Sequence, residues 1–310
     1  MQLNILNLID DAKCFQMVRD LRWPDGVVCF KCDSTDIKRR GFHNTQACRQ
    51  RYCCNNCNSN FDDLSNTVFA GHHQPLRVWM LCSYFMGLNL SNRQIAQELG
   101  LNKDDVQKMT TQLREGIVSK KPEVILKDEV ECDEVYIVAG HKGHPEAVAA
   151  KGRKGRRNRL KGARGRGTLE KEKPPIFGMI ERGGQVVIRM LPNVQQVTIR
   201  PLIEGTIQSG SLIFTDEYNI YSRLEEWGYL HLTVNHSKGE YARDEDGDGF
   251  CEVHVNTMEG FWSLLRSWLR PHRGISQEKL PIYLGFFEAV HNLKKRGKAL
   301  LPSLIQLLVS

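Results

Sequence analysis

The spacing of apolar residues changes along the chain and divides it into three parts. Up to about residue 21 the apolar positions recur at helical intervals, and a Trp-Pro-Asp-Gly run at 23–26 predicts a turn after that helix. Short strand-like runs fill residues 27–70, and consecutive amphipathic helices follow over 75–118. Beyond residue 124, strand-like runs alternate with helices, which is typical of an α/β fold. We therefore predict three domains, 1–70, 71–123 and 124–310.

An acidic strand opens the third part. The run Val130–Val138 is rich in residues that favour β-strands. Because successive side chains of a strand point to opposite faces, Glu131 and Asp133 should share one face. Cys132 and Glu134 should share the other. The strand therefore presents two acids on the same side of a sheet.

Three further strand-like runs follow this one. Residues 176–180 and 186–191 flank a Gly-rich turn and predict an antiparallel hairpin. The continuous apolar run 211–216 ends in Asp216, so this carboxylate should emerge at the carboxyl end of a buried strand. Another run covers 231–236. Together with the acidic strand, these runs predict one sheet.

A helix with a polar stripe beside its apolar face is predicted over 256–270, and Pro271 ends it. Glu259 and Arg266 are seven residues apart, and Asn256 precedes Glu259 by one turn, so the three lie along one flank. The helical spacing of the aromatic residues indicates core packing. The apolar face consists of Met258, Phe261, Trp262, Leu265, Trp268 and Leu269.

Basic residues are concentrated in one block. The chain has 43 Lys and Arg against 36 Asp and Glu, a net charge of +7. The segment Lys151–Lys173 holds eleven of the basic and two of the acidic residues, so its local charge is +9 and the remaining chain sums to −2. Residues 141–173 lack aromatic residues and apolar periodicity, which predicts a mobile basic loop. A block of this kind favours nucleic acid as the partner.

Two features of the sequence indicate the cellular compartment of the protein. No run approaches the roughly 18 consecutive apolar residues that a membrane span needs. The ten cysteines cluster in CxxC pairs near the N-terminal end and do not spread as a disulfide framework does. We therefore expect a soluble, intracellular protein, cytoplasmic and associated with the nucleoid in a bacterium, and nuclear in a eukaryote.

Two CxxC pairs predict a zinc site. Cys29 and Cys32 form the first pair, Cys54 and Cys57 form the second, and 21 residues separate the pairs. Each tight turn lets both sulfurs face one ion, and four thiolates are a common ligand set for structural Zn²⁺. Zinc binding also offsets the cost of folding a segment with little apolar core. Cys53 could replace Cys54 as the third ligand without changing the module.

The helical part resembles a helix-turn-helix. Ser91 and Gln94 form a capping-box pattern, and Gly100 can end that helix in the left-handed conformation. Asn102 can cap a second helix that starts at once. An ordinary helical hairpin is the alternative interpretation. The exposed side chains that would contact DNA are Lys103, Gln107, Lys108 and Gln112.

Asp133, Asp216 and Glu259 are delivered by two strands and one helix. Carboxylate oxygens are favoured ligands of Mg²⁺ and Mn²⁺. Three of them can hold two divalent cations, which activate a water or hydroxyl and stabilise the leaving oxygen of a phosphodiester. Although a single acid is more often a solvated surface residue, this combination indicates metal-dependent phosphoryl transfer.

The order of these motifs resembles the Merlin-related insertion-sequence DDE transposases, the ISXO2-like group. The motifs are the two CxxC pairs, the helix-turn-helix, V-E-C-D-E-V-Y at 130–136, L-I-F-T-D-E-Y at 212–218 and N-T-M-E-G-F-W-S-L-L-R at 256–266. The resemblance implies an α/β fold in which a zinc ribbon and a helix-turn-helix-like region precede a ribonuclease H-like mixed sheet with flanking helices. It also implies that Asp133, Asp216 and Glu259 bind Mg²⁺ or Mn²⁺, with Asn256 as the alternative third position.

By the same resemblance, the protein cleaves DNA at the ends of an insertion sequence, and the freed 3′-OH attacks target DNA. Two element ends have to be brought together, so a homo-oligomer on double-stranded DNA is expected. A non-catalytic, sequence-specific DNA-binding protein derived from a transposase is the alternative. The residues expected to contact DNA are Lys103, Gln107, Lys108, Lys154, Arg156, Arg157 and Arg266.

Overall fold

The structure of the protein is a computed structural model that describes residues 10–152, 166–235, 238–245, 247–249, 251–295 and 299–310. Its helices are, in chain order, α1 (Asp11–Arg22), α2 (Leu76–Gly87), α3 (Asn92–Leu99), α4 (Lys103–Lys120), α5 (Pro145–Ala150), α6 (Gln196–Thr206), α7 (Asn256–Leu269), α8 (Leu280–Lys295) and α9 (Leu300–Val309). Its strands are β1 (Ile37–His43), β2 (Gln46–Cys54), β3 (Asn60–Asp62), β4 (Glu129–Tyr136), β5 (Pro175–Glu181), β6 (Val186–Met190), β7 (Leu212–Asp216), β8 (Leu230–Val234), β9 (Ala242–Arg243) and β10 (Val253–His254).

These elements form two units, Met1–Lys121 with Gly297–Ser310, and Pro122–Arg296. The sequence pattern assigns residues 300–310 to the third domain, but α9 packs on α1, α2 and α4 of the first unit. An amphipathic helix goes wherever its apolar face finds a matching surface, and chain order does not fix that choice. The division into three domains otherwise stays a prediction. The buried face of α9 consists of Leu301, Leu304, Ile305 and Leu308.

The N-terminal helix and the cysteine module are confirmed as elements of the first unit. α1 begins where the Asp10 carboxylate accepts a hydrogen bond from the backbone N–H of Ala12 at 2.8 Å. The sequence pattern extends this helix back to residue 1, and residues 1–9 lie outside the described part. β1, β2 and β3 pair in that order as an antiparallel sheet. The module is therefore a small sheet packed beside one helix.

A buried carboxylate joins that sheet to α1. Asp63 accepts hydrogen bonds from the Arg19 guanidinium at 2.8 Å, the Tyr52 hydroxyl at 3.0 Å and the Gln50 backbone N–H at 2.7 Å. Both carboxylate oxygens are thus paired, as burial of a charge requires. The contact fixes α1 against β2.

The predicted caps of α3 and α4 are confirmed. The Ser91 hydroxyl accepts from the Gln94 backbone N–H, and the Gln94 side-chain oxygen accepts from the Ser91 backbone N–H at 3.0 Å. Gly100 ends α3 at φ 64°, in the left-handed region. The Asn102 side chain then accepts from the Asp104 backbone N–H at 2.7 Å and starts α4. The two helices pack on each other across this short turn.

The second unit is built on a five-stranded sheet in the order β6-β5-β4-β7-β8. β5 pairs antiparallel with both β4 and β6, whereas β7 pairs parallel with both β4 and β8. The predicted hairpin is therefore the antiparallel half of the sheet. The mixed α/β sheet with flanking helices is confirmed.

Helices cover both faces of this sheet. On one face, Ile199 and Ile203 of α6 pack with Val130 and Cys132 of β4. On the other face, α7 and α8 pack against Val135 and the hairpin strands. β4 alternates between the two apolar clusters, as its sequence pattern predicts. Asp133 should therefore face the α7 side.

The predicted basic loop is partly folded. The stretch that the sequence pattern gives as a loop without a core includes α5, and Glu172 within it is 3% exposed. The Ala139 backbone N–H donates to the Glu172 carbonyl at 3.0 Å, and the Gln277 side chain donates to the Leu169 carbonyl at 2.8 Å. These are polar backbone contacts, which apolar periodicity does not register. Residues 153–165 lie outside the described part.

None of the described helices combines the length and the apolar character that crossing a bilayer requires.

Candidate active site and zinc site

Four cysteine sulfurs of the first unit converge. Across the described residues, Cys29, Cys32, Cys54 and Cys57 form the one group of possible ligands whose atoms all lie within 4.8 Å of one another. The Cys29 and Cys57 sulfurs are 3.6 Å apart, as are those of Cys32 and Cys54. A tetrahedral Zn²⁺ with Zn–S bonds of about 2.3 Å needs sulfurs about 3.8 Å apart. The geometry fits one zinc ion.

Each CxxC turn ends in a residue that tolerates a left-handed backbone. Asp33 follows Cys32 at φ 55°, and Asn58 follows Cys57 at φ 56°. Asp and Asn are the non-glycine residues most often found in this region. The left-handed residue reverses the chain after the second sulfur. Both turns can therefore aim two sulfurs at the same point.

The choice between Cys53 and Cys54 is settled by strand alternation. Cys54 is buried in the aromatic cluster around the sulfurs, whereas the Cys53 thiol is 3.8 Å from the Cys54 carbonyl and outside the group. The Ser59 hydroxyl and backbone N–H stabilise the Cys57 thiolate and lower its pKa to about 6. The thiolate is the form that binds a metal. The expected ligand set therefore needs no revision.

Asp133 and Asp216 lie side by side in the second unit. β4 and β7 pair in parallel with Glu131 opposite Phe214. Two residues further along each strand, the same register brings Asp133 abreast of Asp216 and on the same face. Asp216 is the last residue of β7, and its Oδ1 accepts a hydrogen bond from the Tyr218 backbone N–H at 3.0 Å. Asp133 lies inside β4 and Asp216 ends β7, so the two carboxylates stand together just beyond the last β4–β7 pair.

Helix α7 brings Glu259 to this pair. The Trp262 indole N–H donates to Asp133 Oδ2 at 2.9 Å, so this face of α7 touches β4 at the acid itself. Glu259 precedes Trp262 by three residues, which places it about 60° away around the helix. Asn256 precedes Trp262 by six residues and lies about 120° away. Glu259 is therefore the better positioned of the two alternatives.

The three acids are coupled electrostatically. The pKa of Asp133 is raised to about 6, mainly by desolvation, and the negative charges of Asp216 and Glu259 contribute to this rise. The Trp262 N–H and the Glu134 backbone N–H oppose this rise by stabilising the carboxylate. The carboxylate oxygens of Asp133, Asp216 and Glu259 do not all lie within 4.8 Å of one another, as the cysteine sulfurs do. The arrangement is a cluster of negative charge that a bound cation would stabilise.

Glu131 holds the start of α7. The sequence pattern does not predict it as a site residue. Its buried carboxylate accepts from the Met258 backbone N–H at 2.8 Å and from the Arg182 guanidinium at 2.9 Å. His254 Nδ1 lies 3.1 Å from the same carboxylate. An acid at a helix N-terminus stabilises the orphan N–H groups there. Glu131 therefore fixes α7, and with it Glu259, against β4.

Gly178 makes room for Trp262. It lies opposite Asp133 in the β4–β5 pairing. A Cβ atom at Gly178 would be 2.5–2.6 Å from ring carbons of Trp262, closer than any real contact. The indole can reach Asp133 only because this position has no side chain. A glycine inside a strand is the sequence signal of such a close approach.

A second, half-buried acid, Glu134, lies next to the site on the other face of β4. The Tyr221 hydroxyl donates to Glu134 Oε1. The pKa of Glu134 is raised to about 8, mainly by desolvation. The charges of Asp133 and Asp216 contribute to this rise, whereas the Tyr221 hydrogen bond and the positive charge of Arg166 oppose it. The Arg166 guanidinium stacks 3.6 Å from the centre of the Tyr218 ring. A cation thus stands near the Glu134 carboxylate.

The residues expected to contact DNA differ in their exposure to solvent. Lys103, Lys108 and Arg266 are exposed. Gln107 is half-buried, and its side chain accepts from Asn92 at 2.6 Å, which corrects the expectation of a free side chain on the helix surface. That contact ties α3 to α4, a role that helical spacing alone cannot reveal. Lys154, Arg156 and Arg157 lie outside the described residues.

Comparisons with known proteins follow the division into a zinc-binding module and a mixed-sheet domain. The ISXO2-like transposase domain matches residues 125–288, and the transposase zinc-ribbon domain matches residues 9–60. An uncharacterized protein in transposable element ISH50 of Halobacterium salinarum is 31% identical over 97% of this chain and 98% of its own length. The fold and the cysteine site thus define a zinc-ribbon protein with a ribonuclease H-like domain. The chain belongs to the ISXO2-like transposase family, and its four-cysteine site is a structural zinc site.

Two further similarities are more limited. An uncharacterized transposase-like protein of Haemophilus influenzae is 29% identical over 97 residues, 31% of this chain and 71% of that protein. The cryo-EM structure of a simian T-cell lymphotropic virus intasome in complex with a PP2A regulatory subunit is 9% identical, with 68% of this chain and 67% of that chain covered. The TM-score of that superposition is 0.29, so it carries no argument about fold or function.

Proposed function

We propose that the protein cleaves DNA at the ends of an insertion sequence and joins the freed 3′-OH to target DNA. Asp133, Asp216 and Glu259 hold Mg²⁺ or Mn²⁺ for both steps. The proposal is supported by the β4–β7 register, which extends from the Glu131–Phe214 pair towards Asp133 and Asp216, and by the contact of α7 with Asp133 through Trp262. Membership of a transposase family supplies the class of reaction.

The donor set fits a hard divalent cation. All three ligands are carboxylates, the donors that Mg²⁺ and Mn²⁺ favour. The raised pKa of Asp133 reflects desolvation and crowding by like charges, and a cation beside the cluster reverses the second cause. Bound there, the metal supplies Lewis acidity to the attacking and leaving oxygens of the phosphodiester.

The residues around the acids orient them. The Trp262 N–H fixes one oxygen of Asp133, and the Tyr218 backbone N–H fixes one oxygen of Asp216. Glu131 keeps the first turn of α7 against β4, so Glu259 stays on the same side as the aspartates. Ligands held in this way need little reorganisation when DNA binds.

DNA contacts are proposed at several exposed positions. Lys103 and Lys108 on α4 suit the second helix of a helix-turn-helix, and Arg266 lies two turns beyond Glu259 on α7. Lys154, Arg156 and Arg157 belong to the basic block and add phosphate contacts. Pairing of two element ends requires more than one copy of the chain, and we propose a homo-oligomer on DNA.

The test is strand cleavage and strand transfer with DNA that flanks the coding region. Asp133→Asn, Asp216→Asn and Glu259→Gln should each lower the Mg²⁺-dependent rate at least about 100-fold, more than the 10–100-fold typical of changes outside the ligand shell. Asp128→Asn is the matched control, since Asp128 is exposed and precedes β4. Asn256→Ala should be far milder than Glu259→Gln.

Two outcomes would overturn the proposal. Activity that survives both aspartate substitutions would remove the catalytic assignment. A wild-type protein that binds element-end DNA in a sequence-specific manner, but cuts it with neither Mg²⁺ nor Mn²⁺, would show the non-catalytic DNA-binding protein instead.

A further inference from the structure

The β1–β2 hairpin of the zinc ribbon is strongly basic. Between Ile37 and Arg51 there are five Lys and Arg residues and no Asp or Glu. In the sequence, this cluster is separate from the basic block at 151–173 and from the predicted helix-turn-helix at 91–120. Like charges that face each other across paired strands are destabilising, and an anionic ligand would offset that repulsion.

The charges of the hairpin are exposed and mostly not neutralised. Arg49 pairs with Asp62 at 2.7 Å. The other four cations form no ion pair with any residue of the described part of the chain. They are Lys38, Arg39, Arg40 and Arg51, and all four are exposed.

The shape of the hairpin leaves these charges accessible. β1 is an edge strand, and every residue from Lys38 to Phe42 is exposed. Phe42 is 54% exposed, an unusual position for a large aromatic side chain. Tyr52 and Phe61 pack on the cysteine site and do not cover the edge.

A cavity of about 400 Å³ opens beside the cations. Arg40 and Arg51 both line it. Arg51 also donates to the Arg40 carbonyl at 3.3 Å, which holds the two arginines across the hairpin. The rest of the lining consists of Tyr52, Asn60, Phe61, Asp62 and Ser65, and the Asp62 carboxylate is paired with Arg49. With the Asp62 charge paired, two arginines in the lining suit an anionic oxygen ligand.

We propose that this surface, formed by Lys38, Arg39, Arg40, Phe42 and Arg51, binds duplex DNA through its phosphates. Successive side chains of a strand point to opposite faces, so Lys38 and Arg39 lie on the two faces of β1. Because β1 is an edge strand, a duplex that lies along its free edge is within reach of the long cationic side chains from both faces.

This contact is independent of the catalytic acids, because it lies in the other unit of the chain. The zinc site contributes to this DNA contact by making the hairpin rigid. The four sulfurs fix the ends of β1 and β2 at one side, so the cations are presented on a rigid ribbon. DNA binding at the hairpin therefore needs zinc and does not need Mg²⁺.

The experiment measures affinity for a 30-base-pair duplex by fluorescence anisotropy between 50 and 200 mM salt, with full-length zinc-loaded protein and no Mg²⁺. Two variants test the surface independently, Lys38→Gln/Arg39→Gln and Arg40→Gln/Arg51→Gln. The control, Lys13→Gln/Lys120→Gln, removes the same charge from exposed sites on α1 and α4. Zinc content and the circular dichroism spectrum establish that each variant is folded.

The slope of log binding constant against log salt concentration should decrease in magnitude by about 1.8 in each hairpin variant, since each neutralised phosphate contributes about 0.9. This corresponds to a roughly 12-fold smaller loss of affinity over the fourfold change in salt. The control should keep the wild-type slope. Phe42→Ala should weaken binding without changing the slope.

Three results would overturn the proposal. Hairpin variants with the wild-type slope would do so, as would a control that falls by the same amount, because the effect would then be one of net charge. Binding of poly-glutamate that depends on these residues, together with unchanged DNA binding, would indicate an acidic protein as the partner. Loss of catalysis with intact duplex binding would instead count against the proposed function alone.

Discussion

At the scale of single residues, the site depends on what stands beside each acid. Asp133 is oriented by Trp262 and Asp216 by the backbone after β7. The Trp262 contact exists only because Gly178 leaves space for the indole. A carboxylate whose neighbours are fixed loses less freedom on binding a cation. Two substitutions near Asp133 test these points.

Gly178→Ala should displace Trp262. The added methyl would overlap the indole and Met258, and overpacking of this kind costs about 1–3 kcal/mol. Urea unfolding gives the stability, and the intrinsic tryptophan fluorescence reports the indole. Gly205→Ala is the control, because nothing lies within 4 Å of its Cβ position in α6 and alanine favours a helix. A Gly178→Ala protein as stable as the wild type would contradict the close packing.

Glu134→Gln should flatten the pH dependence of stability in buffers without added divalent cations. The pKa of Glu134 is raised from 4.5 to about 8 in the folded protein, mainly by desolvation. Between these values the folded state binds the proton and the unfolded state does not, so stability falls as pH rises, by up to about 1.4 kcal/mol per pH unit. Glutamine stays neutral and keeps an acceptor for Tyr221.

The measurement is the difference in unfolding temperature of the second unit between pH 6 and pH 8, by calorimetry. Wild type should lose stability over this interval, and Glu134→Gln should lose clearly less. Glu129→Gln is the control, because its side chain is 51% exposed. Equal losses in Glu134→Gln and wild type would show that Glu134 is ionised at both pH values.

At the scale of elements, the key contact is between β4 and α7. Glu131 lies 127 residues from Met258 in the chain, yet its carboxylate caps the first turn of α7 through the Met258 backbone N–H. Arg182 completes the contact and also stacks 3.7 Å from the centre of the Phe214 ring on β7. One buried ion pair thus joins β4, β5, β7 and α7 beside the acids.

Glu131→Ala should destabilise the second unit by about 3–5 kcal/mol, because it removes the buried charge partner of Arg182 and leaves the first turn of α7 without its acceptor. Glu129→Ala removes the other, half-exposed partner of Arg182 and should cost less than about 1 kcal/mol. Urea unfolding of the two variants gives the comparison. Similar costs for both would show that the buried contact does not hold α7.

At the scale of the whole molecule, the chain forms two units with separate apolar clusters. The aromatic cluster around the cysteines lies in the first unit, and the two clusters on the faces of the mixed sheet lie in the second. Zinc should therefore stabilise the ribbon without being needed for the fold of the sheet domain.

Cys54→Ser should lose zinc and expose the ribbon to protease, while the second unit keeps its unfolding transition. Cys53→Ser should retain one zinc per chain, since its sulfur lies outside the group. Zinc content by mass spectrometry and limited proteolysis make the comparison. Loss of zinc from Cys53→Ser with retention in Cys54→Ser would reverse the assignment.

The sequence by itself determined the features that depend on a few neighbouring residues. The CxxC turns, the caps of α3 and α4, the alternation of β4 and the position of Asp216 at a strand end all follow from local backbone geometry. They are set by the period of a strand or helix and by which residues tolerate a turn. For the same reason the order of elements and the mixed α/β class were predictable.

Only the tertiary structure decided which surfaces meet. The capping of α7 by Glu131, the space at Gly178, the use of Gln107 between two helices and the packing of α9 in the first unit all join distant segments. Any amphipathic face or buried acid has several possible partners, and the choice among them comes from the packing of the complete chain. No local pattern carries that information.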